Sequence, residues 1–188
     1  MRPKTLLFAV LIAVLTLSAC DVNVKKNEQG EDKNVDIKTP FGQIHVDQGA
    51  DVKDTGLPVY AGARSKPKNG NDNDENNANV NISTGAFGIK VVALEYESDD
   101  PPAKLVAYYK DQLKKYGNVL ECHTTGHNYS YNRDSNSDEL KCEGDTGKDI
   151  ELKVGTKNNQ HIVSIKPRDK GTDFGLVYVH IRGKEDTI

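Results

Sequence analysis

Apolar residues early in the chain recur at every second position: Val22 and Val24, Val35 and Ile37, Ile44 and Val46. Period two marks strands with one apolar face. The polar run around Gly30 separates the first two pairs, which predicts a hairpin followed by a third short strand. Three such strands bury little alone, so they form either an extension of a larger sheet or a stalk. Further on comes Gly56-Leu57-Pro58-Val59-Tyr60-Ala61-Gly62-Ala63, where Pro58 and Gly62 forbid a regular helix or central strand. This predicts an ordered lead-in with Leu57, Val59 and Tyr60 buried. Residues 66–79 are rich in Asn and Asp and, apart from Pro67, hold no apolar side chain larger than alanine. Nothing there offsets the entropy of ordering, which predicts a flexible surface loop.

From residue 80 the pattern changes. Residues 89–96 are apolar on both faces, with Ile89, Val91 and Ala93 alternating with Val92, Leu94 and Tyr96. That predicts a central strand covered on both sides. Ser98, Asp99 and Asp100 are capping residues, Pro101 and Pro102 suit a first helical turn, and Gly117 is a stop. Between them Leu105, Tyr109, Leu113 and Tyr116 form one helical stripe, with Lys104, Lys110, Lys114 and Lys115 off it. Period two then returns in five segments, 119–124, 139–143, 150–154, 162–166 and 174–181, joined by turn-rich connections that favour an antiparallel meander. The predicted fold class is α+β: a mainly antiparallel β meander with one amphipathic helix packed on one face, preceded by a short β-hairpin segment. A crossover from the first long strand to a parallel neighbour would be right-handed. A Phe-Gly phrase recurs at Phe41-Gly42, Phe87-Gly88 and Phe174-Gly175. It reads as a way into a strand, an aromatic plug followed by a flexible residue.

Ahead of the first strand, Arg2 and Lys4 precede an apolar run from Leu6 to Leu17, closed by Leu17-Ser18-Ala19-Cys20. A basic start, an apolar stretch and small residues before a cut are the layout of a secretory signal, and the run is too short to span a bilayer comfortably. With cysteine after the small residues, it resembles a bacterial lipoprotein signal. The resemblance implies a diacylglycerol thioether on Cys20, removal of residues 1–19, and a mature chain held to the membrane by N-terminal acyl chains. Four parts follow: a signal peptide (1–19), an anchor and short β stalk (20–50), the lead-in and Asn/Asp-rich loop (51–79), and an α+β domain (80–188). The expected location is the cell envelope, lipid-anchored and facing the periplasm or the exterior. Of 188 residues, 169 remain after the cut, and the formal charge moves from −3 to −5 with the loss of Arg2 and Lys4. Nucleic acid is not a partner for such a surface, which lacks clustered positive charge.

An exported chain meets an oxidising compartment, and the two remaining cysteines, Cys122 and Cys142, read there as a disulfide. Leu120, Cys122 and Thr124 share one strand face, as do Leu140 and Cys142 on a second strand, so a hairpin would set the sulfurs opposite each other. The rival is zinc held by Cys122, His123, His127 and Cys142. The strand context and the missing Glu between the histidines count against a metal there. Asp72, Asp74 and Asn76 do not extend into a calcium loop, because position six is Asn77 and position twelve Ser83. His45, His161 and His180 sit singly in alternating strands and read as solvent-facing. No phosphate-binding glycine loop or nucleophile motif is present, so no catalytic residue, metal or cofactor is assigned. Tyr129, Tyr131 and Arg133, in the segment closed by the two cysteines, are residue types suited to recognition. They are the candidate contacts for an envelope protein or glycan.

The lead-in Pro58, Tyr60, Gly62 and Ala63, with a following strand and a helix carrying Tyr108-Tyr109 and Leu113 before Gly117, resembles small α+β domains of uncharacterised bacterial lipoproteins and exported proteins. That resemblance covers about residues 56–120 and implies fold and compartment alone. The functional expectation is a binding or scaffolding module. The rival is a hydrolase or metal-handling protein tethered to the same surface.

Overall fold

The computed structural model describes residues 21–26, 32–47, 49–68, 71–75, 77–125, 138–142 and 147–183. Among the described residues, twelve strands and one α-helix order as β1 (Asp21–Lys26), β2 (Asp32–Thr39), β3 (Gly42–Asp47), β4 (Arg64–Ser65), β5 (Pro67–Lys68), β6 (Asn71–Glu75), β7 (Asn77–Thr84), β8 (Gly88–Ser98), α1 (Pro102–Leu113), β9 (Leu120–Thr124), β10 (Asp149–Thr156), β11 (Asn159–Pro167) and β12 (Thr172–Arg182). One antiparallel sheet runs β1-β2-β3-β7-β8-β12-β11-β10-β9, and β4 pairs with the far end of β8. The α+β class with a β meander holds.

The three N-terminal strands lie where the alternation predicts. They extend the main sheet rather than standing apart as a stalk, because β3 pairs with β7 through Ile44↔Ile82 and Val46↔Val80. The Asn/Asp-rich stretch also differs from expectation. Residues 67–68 and 71–75 pair as a small ribbon, and β7 begins at Asn77, three residues before the predicted start of the domain. Strand pairing is a backbone interaction, so low side-chain hydrophobicity does not prevent it.

Helix α1 starts at Pro102, with Pro101 at the cap, and passes into a 3-10 turn, Lys114–Tyr116, that ends at Gly117. Its stripe is buried as the spacing predicts: Leu105, Tyr109 and Leu113 are fully inaccessible. They pack on Leu94, Leu152, Val154, Val163, Ile165, Phe174 and Leu176, all on one sheet face. The lysines off the stripe are engaged locally: Lys104 with Asp100, Lys110 with Glu121, and Lys114 with Asp111.

The lead-in closes one end of this core. Leu57 is buried, and Val59 and Tyr60 are half-buried. The Tyr109 hydroxyl donates to the Pro58 carbonyl (3.3 Å) and accepts from the Tyr60 amide (3.1 Å). Tyr60 in turn donates to Asp100 (2.8 Å) and meets the Tyr108 ring edge-on at 5.2 Å. The Pro-x-Tyr lead-in and the Tyr-Tyr helix therefore make one packed unit.

Three further expectations are corrected. Strand β8 is central, fifth of nine, but α1 covers one face alone. Strand β9, which runs in the same direction as β8, is not its neighbour; β12, β11 and β10 lie between them. Four strands, not five, follow the helix, because residues 138–142 form no strand and β9 pairs with β10 instead. Cys122 and Cys142 are nonetheless joined, with Cα atoms 5.3 Å apart. The bridge fastens an irregular segment onto β9 rather than closing a hairpin.

Candidate binding surface

Side chains of directly opposed residues in an antiparallel sheet share a face. The pairings therefore assemble the alternating residues into rows on the face away from α1. One row crosses six strands as Val24, Val35, Val46, Val80, Val91 and Val179. The next runs Val22, Ile37, Ile44, Ile82, Ile89 and Ile181. A third is Ala78, Ala93, Val177 and Ile162. No further helix or strand among the described residues forms a layer over them; Val22, Val24 and Ile44 are exposed and the other row members are half-buried. Alternation was visible in the sequence, but the register that aligns it into rows was not.

Where the rows meet the C-terminal strands, the face dips into an open cleft of about 340 Å³. Val91, Val177, Val179 and Ile162 form its apolar wall. Gly175 forms the floor, where a Cβ would come within 2.8 Å of the Ser164 hydroxyl. The end near Ser98 is closed by charge. Arg64 grips Asp99 with two bonds (3.0 and 2.9 Å) and Glu97 with a third (3.1 Å), Arg168 joins Glu97 (3.0 Å) to Asp173 (2.9 Å), and Lys66 reaches Asp173 (2.7 Å). The hydrogen bonds from Arg64 hold the Asp99 carboxyl below its usual range. An apolar floor with paired charges at its end suits binding more than proton transfer.

On the helix side, His161 corrects the expectation of a solvent-facing ring. It shares parity with Val163 and Ile165, whose burial decides the face, and is 9% exposed. Its ring stacks on Tyr116 (3.7 Å between centroids), leans on Tyr178 (4.8 Å), and its Nδ1–H donates to the Thr55 carbonyl (2.9 Å). Next to it Gly56 holds φ +69°, and a Cβ there would lie 2.4 Å from the Tyr116 hydroxyl. Burial lowers the His161 pKa. A histidine held neutral stabilises the fold fully above its unfolded pKa of about 6.5 and progressively less as pH falls below that value, because the unfolded chain then binds the extra proton. Thermal melts should therefore lose midpoint between pH 7.5 and 5.5, before carboxylates titrate, and His161→Phe should flatten that slope. An equal slope in both proteins would contradict the assignment.

The predicted site residues fall as follows. Cys122 is 1% exposed on β9 and bonded to Cys142, so its sulfur is committed and the zinc reading loses its thiolates. Cys20, His127, Tyr129, Tyr131 and Arg133 lie outside the described residues. No group of three His, Cys, Asp or Glu side chains among the described residues is placed to hold a metal ion. Two His–carboxylate pairs stand among the described residues: His45 Nδ1 to Asp36 at 2.5 Å, which joins β3 to β2, and His123 Nε2 to Glu121 at 3.4 Å within β9, all four side chains partly exposed. No helix among the described residues is long and apolar enough to cross a membrane. Comparison with protein-family models, with curated proteins and with solved structures finds no match to this chain.

Proposed function

We propose that the chain is a bacterial envelope lipoprotein, anchored through acyl chains on Cys20, whose sheet serves as a binding or scaffolding module facing the periplasm or the exterior. The observation that carries this reading is the basic start, apolar run and Leu17-Ser18-Ala19-Cys20 ending directly before β1. Several acyl chains hold a protein far more firmly than one, since each buried CH2 contributes about 0.8 kcal/mol. A binding role is supported by the apolar rows on the open face. Patches of this kind on a monomer's surface generally mark interaction sites. An envelope protein or glycan is the expected partner, and Tyr129, Tyr131 and Arg133 remain candidate contacts within that proposal.

Metabolic labelling with a fatty acid, followed by membrane fractionation, tests the anchor. Cys20→Ser is expected to abolish label and either to release the mature domain or to leave the precursor in the membrane. A variant still cut at the same bond and still labelled would refute the reading.

A further inference from the structure

The large apolar side chains left exposed among the described residues are not scattered. They are Val22, Val24, Ile44, Phe41 and Phe87, and none belongs to the helix-covered half of the sheet. Phe41 is the extreme case at 86% exposure, and Phe87 is 39% exposed. Each sits in a hairpin turn, between β2 and β3 and between β7 and β8, and those turns adjoin because Gly42 pairs with Thr84. Both are built on a threonine hydroxyl. The Thr39 hydroxyl donates to the Gly42 carbonyl (3.0 Å) and accepts from the Phe41 amide (3.2 Å), while the Thr84 hydroxyl donates to the Phe87 carbonyl (3.2 Å) and accepts from the Phe87 amide (3.0 Å). The threonine holds the turn, so the phenylalanine is presented rather than buried. This corrects the reading of Phe-Gly as a plug at two of its three occurrences; Phe174 alone is in the core.

The start of β1 is at the same end. Asp21 pairs with Lys38, three residues before Phe41. At a rise of about 3.4 Å per residue, the chain enters the sheet on the order of 10 Å from that turn. The residue before Asp21 is Cys20. We propose that this end of the sheet docks on the membrane, with Phe41 and Phe87 inserted among the headgroups of the leaflet that carries the acyl chains. The proposal rests on the lipid anchor at Cys20 and adds the domain's orientation. Aromatic and apolar side chains partition into that interfacial layer. Lys38, Arg182 and Asp21, the exposed charges of β1, β2 and β12 at this end, sum to +1 only, so attachment rests on apolar insertion more than on attraction to anionic lipid. The helix lysines are on the other half of the sheet and hold partners of their own.

The chain contains no tryptophan, so Phe41→Trp and Phe87→Trp each give a single reporter, and Lys170→Trp, in the turn between β11 and β12, gives one at the opposite end. Each full-length variant is isolated from membranes, its mass and thermal midpoint are checked, and it is reconstituted into phosphatidylethanolamine and phosphatidylglycerol vesicles with brominated acyl chains. Phe41→Trp and Phe87→Trp are expected to be quenched severalfold more than Lys170→Trp. Equal quenching of all three in a chain that carries lipid would overturn the orientation while leaving the anchor intact. A mass without lipid would overturn the anchor, and this proposal with it. Blue-shifted emission that grows with protein concentration in the absence of vesicles would overturn it by assigning the two turns to a second copy of the chain.

Discussion

Leu105→Ala is expected to destabilise the domain by about 2–5 kcal/mol, the range for removing a buried leucine where the surroundings cannot collapse. Leu105 is fully inaccessible on the buried stripe of α1. A 12-residue helix is marginal alone, so α1 depends on that stripe for its existence. Against a net stability of about 5–15 kcal/mol for an ordinary domain, the loss is a large share. Urea unfolding should show a lower midpoint at an unchanged slope. A loss below about 1 kcal/mol would mean that α1 does not hold the core together.

Replacing both cysteines, Cys122→Ala with Cys142→Ala, is expected to cost about 3 kcal/mol in the chain-entropy description of a bridge between residues 20 apart. The location argues for the full effect. Strand β9 ends the sheet's strand order, with β10 as its partner, and residues 138–142 have no ladder of their own, so the bridge supplies the attachment that strand pairing does not. Because the unfolded chain expands when the cross-link is lost, the denaturant slope should rise as the midpoint falls. An unchanged midpoint would show that the segment docks without the bridge.

What was legible in the sequence was periodic. Val22 to Val46 and residues 150–181 alternate strongly enough to place their strands, and the stripe Leu105, Tyr109 and Leu113 placed the helix and its buried face. Register was not legible, because pairing partners are chosen across the whole sheet. Leu140 and Cys142 looked like a strand opposite Cys122, yet Ile150, Leu152 and Val154 supply a longer apolar alternation and take β9 as partner. His161 departs from its expected solvent-facing position for a related reason, since its face is set by Val163 and Ile165, not by its own polarity. The loop expected over residues 66–79 gives way to paired strands at 67–68, 71–75 and 77–79, because side-chain composition says little about backbone pairing. The open face and the two presented phenylalanines needed three-dimensional adjacency: the rows draw single residues from six strands, and Phe41 and Phe87 stand 46 positions apart in sequence while their turns adjoin.

The intact mass of the protein extracted from bacterial membranes tests the central claim most directly. The account predicts a chain that begins at Cys20, lacks residues 1–19 and carries the added mass of a diacylglycerol and its acyl chains. A chain that begins elsewhere, or at Cys20 with a free thiol and no added lipid mass, would contradict it.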